Sequence, residues 1–166
     1  MDRFDETNNG RSGLHRLGAI MGVAMLAFAP SLTLAESCPA GSAEPNVRAA
    51  DHTPAFGVTD TVVGSVDLAK EPAHIEGRLL RLRRLVIQPG GVVPWHSHGD
   101  RPAIIYIISG TIEEYASNCS VPIVHRAGDV TVETHGTSHW WKNTGTETVV
   151  LLSADLFPEK SDAHTM

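Results

Sequence analysis

The sequence is poor in cysteine, aromatic residues and positive charge. It has 2 cysteines, 5% aromatic residues, and 13 Lys and Arg against 19 Asp and Glu, which gives a formal net charge of −6. The cysteines do not form a C-x-x-C motif, and the acidic balance argues against a nucleic-acid surface. Arg81, Arg83 and Arg84 are the one basic cluster, within the run LLRLRRLVI. Because charged and apolar residues alternate there, we predict a solvated strand face rather than a ligand patch.

An apolar run near the N-terminus has the features of an export signal. Arg11 and Arg16 precede LGAIMGVAMLAFA, and a small-residue tail, LTLA, ends at Ala35. A basic start, a short apolar core and a small-residue end are typical of a secretory signal peptide, and the run is too short to span a bilayer comfortably. We predict a signal peptide over residues 1–35, cut near Ala35, and a periplasmic or secreted mature chain without a membrane span. The alternative is an uncleaved N-terminal anchor.

The two cysteines, Cys38 and Cys119, both follow the predicted cleavage site. In an oxidising compartment an even number of cysteines usually means a bridge, so we predict a disulfide between them. Two free thiols acting as a redox pair are the alternative.

The rest of the chain has no helical pattern of 12 residues. Residues 36–60 are rich in Ala, Pro, Ser and Gly, which predicts an extended arm or linker. From residue 61, short β-like runs alternate with turn residues, which predicts a single all-β domain, a sandwich or small barrel, over 61–158. A polar tail over 159–166 follows. The SGT segment at Gly110 is expected to be a tight hairpin between AIIYIIS and TIEEYAS.

Two histidines in the run PWHSHGDRP are the first candidates for chemistry. His96 and His98 are two residues apart, so in a strand their side chains point to the same face. His139, in the later run SHWWKN, is able to bring a third imidazole to the same interior. Imidazoles that converge from two strands of a barrel form a rigid site for Fe, Mn, Zn, Ni or Cu. The simpler interpretation is that these are hydrogen-bonded structural histidines.

Two motifs resemble those of the cupins. Gly90, His96-Ser97-His98 and Gly110 follow the spacing of the first cupin motif, and Gly128, Thr134-His135-Gly136, His139 and Asn143 that of the second. The resemblance covers roughly residues 78–157 and is closest to compact single-domain bacterial cupins. It implies a jelly-roll β-barrel of six to eight strands with a divalent metal ion at its centre, and often a homodimer.

The chain departs from the cupin pattern at two positions. Thr134 replaces a proline, which we expect to matter little. More importantly, the usual glutamate ligand is missing, because Pro102 and Ala103 occupy the positions where it would stand. The resemblance therefore implies a metal held by His96, His98 and His139 alone. Three neutral imidazoles leave the ion its full charge, which favours anionic ligands and acidifies bound water.

Five further residues are candidates for the surroundings of this centre. Asp100, His125 and His135 are candidates for acid–base groups at the rim, and Asp100 is also an alternative oxygen ligand. Arg101 is a candidate clamp for a substrate carboxylate. Trp141 shares the face of His139 by strand parity and is expected to line the cavity.

These features leave three functional hypotheses. The first is an exported, metal-dependent cupin enzyme that acts on a small anionic molecule as a dioxygenase, isomerase or lyase. The second is a noncatalytic periplasmic cupin that binds a metal or a small ligand. The third is a structural module of the envelope with a vestigial pocket. The sequence does not choose among them, because one fold supports many functions.

Overall fold

The computed structural model of the chain describes residues 37–159, which form eight β-strands and one short 3-10 helix, Leu68–Lys70. The predicted signal peptide and most of the predicted polar tail lie outside these residues. No helix in the described part has the length and apolar character needed to cross a membrane. The strands are β1 (Phe56–Asp67), β2 (Arg78–Ser97), β3 (Ala103–Ser109), β4 (Thr111–Ala116), β5 (Ile123–Arg126), β6 (Val130–Glu133), β7 (Ser138–Lys142) and β8 (Val149–Pro158).

All eight strands belong to one curled antiparallel sheet. The order along the sheet is β5-β4-β7-β2-β8-β3-β6, and β1 pairs with β2 beside this path. The long β2 pairs with β8 through its first half and with β7 through its second half, so it links the two ends of the sheet. The predicted all-β, barrel-type fold is confirmed. β1 begins at Phe56, within the segment predicted to be an extended arm.

Alternating side chains fill the interior of the curled sheet. In β8, Val149, Leu151, Ser153 and Asp155 are buried, whereas the residues between them are half-buried. A two-residue period is what a strand with one face on the core requires. The apolar part of the core contains Leu85, Ile87, Ile105, Ile107, Ile112, Trp141, Val149 and Leu151.

The arginines of β2 do not form a solvated face, so that prediction was wrong for two of the three. Arg83 is 8% exposed and Arg81 is partly buried, while Arg84 alone is exposed. The physical reason is strand parity: Arg83 lies two residues before Leu85 and four before Ile87, both of which are in the core. The buried Asp155 and the partly exposed Asp60 compensate the two inward guanidinium groups.

The predicted hairpin at Gly110 is also wrong. β3 pairs with β6 and β8, whereas β4 pairs with β5 and β7, so the segment connects strands from different parts of the sheet. Gly110 has a φ of +84°, and a Cβ atom there would lie 2.9 Å from a side-chain methyl of Val149. Only glycine satisfies both the left-handed backbone and this close approach.

The segment before β1 is tied to the sheet by a disulfide. Cys38 and Cys119 are bonded, as predicted, across a sequence separation of 81 residues. Ala43 forms an isolated β-bridge with Cys119, and Arg48 donates hydrogen bonds to the carbonyl oxygens of Cys119 and Ser120. The bridge fits an oxidising environment.

Candidate metal centre

Three histidine side chains converge on one point in the interior. The Nε2 atoms of His96, His98 and His139 form a nearly equilateral triangle with edges of 3.1, 3.0 and 3.1 Å. His98 is 2% exposed, and His139 is fully buried. The structure therefore brings together the three residues that the cupin resemblance implies as ligands.

Strand pairing explains why these rings meet. His96 on β2 is the direct antiparallel partner of His139 on β7. His98 follows the end of β2, and its backbone N–H donates to the carbonyl oxygen of Thr137 at 2.9 Å. At the other end of this strand pair, buried Asn143 donates to the carbonyl oxygens of Ile87 and Glu147.

The partners of the Nδ1 atoms fix the tautomers of all three rings. Nδ1 of His96 lies 2.8 Å from the carbonyl oxygen of Pro94, and Nδ1 of His98 lies 2.8 Å from that of Arg101. Nδ1 of His139 lies 2.6 Å from a carboxylate oxygen of Glu114. Because a carbonyl or carboxylate oxygen accepts, each Nδ1 must carry the proton. In the neutral rings, three Nε2 lone pairs then point at one another, an arrangement that a cation stabilises.

The size of the triangle is compatible with a shared metal ion. Two ring nitrogens that are each about 2.1 Å from an ion lie about 3.0–3.4 Å apart, depending on the angle between the two bonds. The observed edges of 3.0 to 3.1 Å lie within this range. An ion held by these three imidazoles would keep further positions for water or substrate.

Burial and charge set the protonation of the rings without a metal. Burial, followed by the charge of His139, lowers the pKa of His96 well below its usual value and that of His98 to about 4. For His139 burial also acts against the charged form, but the hydrogen bond to Glu114 and the charges of Glu133 and Glu114 raise its pKa. His96 and His98 are thus neutral near pH 7, whereas the raised pKa of His139 means that a metal ion competes with a proton for its Nε2 atom.

Glu114 is a buried carboxylate behind the triangle. It is 3% exposed, and its two oxygens accept hydrogen bonds from Nδ1 of His139 at 2.6 Å and from Nε2 of His125 at 2.8 Å. Burial would raise the pKa of Glu114, but these hydrogen bonds and the charges of the two rings lower it to about 2. A carboxylate that receives the second ring proton of a histidine orients the ring and makes it a stronger ligand.

Glu133 provides a second buried carboxylate on the same side. It is the direct cross-strand partner of Ala103, where cupins usually carry the glutamate ligand. One oxygen lies 3.5 Å from Nδ1 of His139, and the other accepts from the Thr131 hydroxyl. Burial raises the pKa of Glu133. His139, Glu114 and Glu133 form a second group with metal-ligand atoms, adjoining the triangle through His139.

An inner cavity of about 30 Å³ adjoins the triangle. His96 and His98 line one part of it, and Arg101 and Trp141 line another. The indole nitrogen of Trp141 lies 3.3 and 3.4 Å from the two ring nitrogens of His139. The remaining lining consists of Arg83, Leu85, Val93, Ile105, Leu151 and Ser153.

The three rim candidates lie in different places. His135 and Asp100 are exposed, and Nδ1 of His135 lies 3.0 Å from the carbonyl oxygen of Gly99. Asp100 is not a member of either group of potential metal ligands in the described residues. His125 is fully buried rather than at the rim, because its ring stacks on Trp141 at 4.8 Å and bonds to Glu114.

Sequence reasoning missed four buried charged residues that lie in strands: Arg83, Glu114, Glu133 and Asp155. Each lies two residues from another buried residue of the same strand, as Glu114 does from Ile112 and Ala116. The available signal was a charged residue on the strand face that otherwise carries apolar, inward-facing residues. It was overlooked because charge by itself suggested exposure.

Comparisons with known proteins agree with this architecture. The family model of the cupin domain matches residues 83–155. The auxin-binding protein ABP19b of Prunus persica is 30% identical over 103 residues, which cover 60% of this chain and 44% of that protein. The chain thus spans less than half the length of this relative.

Two solved structures are also similar. A double-stranded β-helix protein from Klebsiella pneumoniae has a TM-score of 0.48 and 21% identity, and the match covers 66% of this chain and 84% of that one. Oxalate oxidase in complex with the substrate analogue glycolate has a TM-score of 0.47 and 24% identity, covering 68% and 54%. These likenesses carry no activity over to this chain.

Proposed function

Because this chain belongs to the cupin superfamily, we propose that it is an exported protein that binds one divalent metal ion through His96, His98 and His139 and acts on a small anionic molecule. One observation carries the proposal: the Nε2 atoms of the three rings converge, while each Nδ1 atom donates its proton to a hydrogen bond with an oxygen acceptor. Hydrogen-bonded structural histidines would instead pair donors with acceptors. Fe, Mn, Zn, Ni and Cu are all candidates for this ion, because each of them binds imidazole nitrogen.

A divalent ion at this position supplies Lewis acidity, which polarises a coordinated anion or acidifies a coordinated water. The residues around it have separate tasks. Glu114 accepts a hydrogen bond from His139 Nδ1, Trp141 lines the cavity, and Arg101 faces the cavity with a positive charge. Leu85, Val93, Ile105 and Leu151 add apolar lining, and an apolar surrounding strengthens the electrostatic interactions inside the cavity. Dioxygenation, isomerisation and lyase chemistry all use these features.

Export to the periplasm or beyond is supported by the disulfide. A bridge between Cys38 and Cys119 persists only where thiols are not kept reduced. The predicted cleavage near Ala35 would leave both cysteines in the mature chain. Mass analysis of the protein from the exporting compartment, with and without reductant, tests both points through the mass of the N-terminal peptide and a gain of two alkylated thiols on reduction.

The metal-binding part is tested by calorimetric titration of the chelator-treated protein. We expect one Mn²⁺ or Fe²⁺ per chain, and loss of most of the affinity in His96→Ala. His135→Ala is the matched control, because this exposed histidine bonds only to the carbonyl oxygen of Gly99 among the described residues. Equal behaviour of the two variants would contradict the ligand assignment.

A noncatalytic metal- or ligand-binding cupin is the second candidate, favoured by the small volume of the inner cavity, about 30 Å³. Proton relaxation of water around the Mn²⁺-loaded protein distinguishes the enzyme from the noncatalytic binder. Exchangeable water on the ion, together with substrate-dependent O₂ uptake or product formation, supports the enzyme. A closed coordination shell without turnover supports the binder.

A homodimer is proposed from the outer face of the sheet. Exposed large apolar side chains point outward from β6, β3 and β2, on both sides of β8, whose outward residues are half-buried; such a patch is unusual for a monomer. They include Ile104 at 55%, Tyr106 at 45%, Val132 at 56%, Leu80 at 44% and Leu82 at 39% exposure. A second copy of the same face offers matching apolar area. Ile104→Lys should shift the sedimentation coefficient from dimer to monomer, whereas Val121→Lys, outside this face, should not.

A further inference from the structure

Three guanidinium groups surround one buried carboxylate beside the inner cavity. Arg81 binds Asp155 through two hydrogen bonds, of 3.0 and 2.7 Å. Arg83 Nη1 lies 3.5 Å from the same carboxylate, and Arg101 Nε lies 3.8 Å from it. Asp155 is 1% exposed. One fully buried carboxylate is therefore shared by three cations.

Asp60 on β1 supplies a second carboxylate in contact with these arginines. It pairs with Arg83, through an Nε–Oδ1 hydrogen bond of 3.1 Å and a second contact between Nη2 and Oδ2. Among the described residues, three guanidinium groups thus contact two carboxylates, which leaves one positive charge without a carboxylate of its own. Burial, followed by the charge of Arg83, accordingly lowers the pKa of Arg101.

The uncompensated charge falls on Arg101. Its side chain is 3% exposed, yet Nε and Nη1 have no hydrogen-bond partner among the described residues. A buried cation with unmet donors is costly to a fold, because it has lost water without gaining partners. Such donors are satisfied when an anion occupies the space that they face.

That space is the inner cavity, since Arg83 and Arg101 both line it together with His96 and His98. Its volume of about 30 Å³ exceeds the roughly 10–15 Å³ that one water needs, so it admits a planar group of a few atoms. A carboxylate fits this volume and matches the planar fork of a guanidinium better than a tetrahedral anion does.

A second cavity borders the inner one. It has a volume of about 160 Å³, shares Arg83, Leu85 and Val93 with the inner cavity and is also lined by Asp60. The Arg83–Asp60 pair therefore lies in the wall between the two cavities. The side chain of Asp60 is 24% exposed, so it separates from Arg83 at lower cost than Asp155 would.

We propose that Arg101 and Arg83 form a receptor for one short carboxylate beside the three-histidine centre, and that Asp60 competes with this carboxylate for Arg83. The inference deepens the proposed function, because it names the ligand class of the same site. The receptor itself, however, consists of side chains that do not depend on a metal. Asp60 thus acts as a specificity-determining residue that sets the affinity for carboxylates.

The test is a titration of the full chain with sodium formate, with sodium chloride added to keep the ionic strength constant. The readouts are the arginine Nε–H signals in ¹H–¹⁵N NMR spectra and the thermal midpoint. We expect a saturable shift of the Arg101 signal and a rise in midpoint. Arg101→Gln should abolish both, and its midpoint without formate should be higher than that of the wild type. Asp60→Asn should lower the dissociation constant for formate about threefold or more.

Arg84→Gln is the matched control, because this exposed arginine lies on the same strand and points outward. It should bind formate as the wild type does. A wild-type response that does not saturate, an equal response to chloride or phosphate, or an unchanged response in Arg101→Gln would each overturn the receptor. Should Arg101→Gln not fold, the wild-type titration and the direction of the Asp60→Asn effect still decide.

The titration is repeated after treatment with a chelator, which separates this inference from the proposed function. Saturable formate binding by a protein that takes up no metal supports the receptor and refutes the metal centre. Stoichiometric metal binding without a formate response refutes the receptor and leaves the metal centre standing.

Discussion

Replacing Glu114 by Gln tests whether the buried carboxylate behind His139 tunes the metal site. The amide has nearly the same shape and still accepts a hydrogen bond from His139 Nδ1, while its NH₂ group is able to donate to Nε2 of His125 in the other tautomer. The fold should therefore survive. What is lost is the negative charge 2.6 Å from the ring nitrogen of a metal ligand.

The expected loss in metal affinity is about 10- to 100-fold, the usual effect of removing a carboxylate that supports a histidine ligand. This range corresponds to about 1.4–2.7 kcal/mol, since each tenfold change is about 1.4 kcal/mol. A second consequence concerns the metal-free protein. The hydrogen bond to Glu114 is the largest of the influences that raise the pKa of His139, so this pKa should fall in Glu114→Gln.

The assay is competition for Mn²⁺ or Zn²⁺ against a chromophoric chelator, with the pKa of His139 followed by NMR. Glu113→Gln is the matched control, because Glu113 adjoins Glu114 but accepts its hydrogen bond from the Tyr115 hydroxyl, away from the histidines. If Glu114→Gln binds metal as tightly as the wild type, or if both variants lose the same affinity, Glu114 does not act through His139.

Three further predictions concern stability and are each read from the free energy of unfolding in denaturant. Gly110→Ala should destabilise the fold by about 1–3 kcal/mol, because it adds a clash to a left-handed backbone; Gly64→Ala, which meets nothing within 4 Å, should change it little. Asn143→Ala should cost about 2 kcal/mol, since the buried carbonyl oxygen of Ile87 and the partly buried one of Glu147 lose their donor. Reduction of the Cys38–Cys119 bridge, with its sequence separation of 81, should cost about 4 kcal/mol on the chain-entropy model. Changes below about 0.5 kcal/mol in any of the three would contradict the corresponding argument.

Much of the fold and the three histidines could be predicted from the sequence. Alternation and turn residues indicate strands, and the spacing of the two histidine-bearing motifs identifies the histidines that meet, because both are local patterns. Strand partners were harder to predict than strands. The Gly110 segment has the composition of a hairpin, but the partners of the strands on either side of it lie far away in the chain. The sequence likewise did not reveal the surroundings of Ala103, one of the two positions where the cupin glutamate would stand. In the structure, Ala103 has Glu133 as its cross-strand partner.

The buried charges are the part of the site that local reasoning missed. Arg83 and Asp155 lie inside because each compensates another charge across neighbouring strands, a relation that exists only after β2 and β8 pair. A single charged residue in a strand is usually exposed, so the prediction of a solvated face was reasonable but wrong. The parity of Arg83 with Leu85 was the one local indication of burial.

The central claim, a three-histidine metal centre, is tested most directly by elemental mass spectrometry of untagged mature protein from the exporting compartment. The account predicts about one divalent metal ion per chain in the wild type and its loss in His139→Ala, with retention in His135→Ala. A wild-type protein that is purified without metal, and that also takes up none of Fe, Mn, Ni, Cu and Zn on reconstitution, would contradict it.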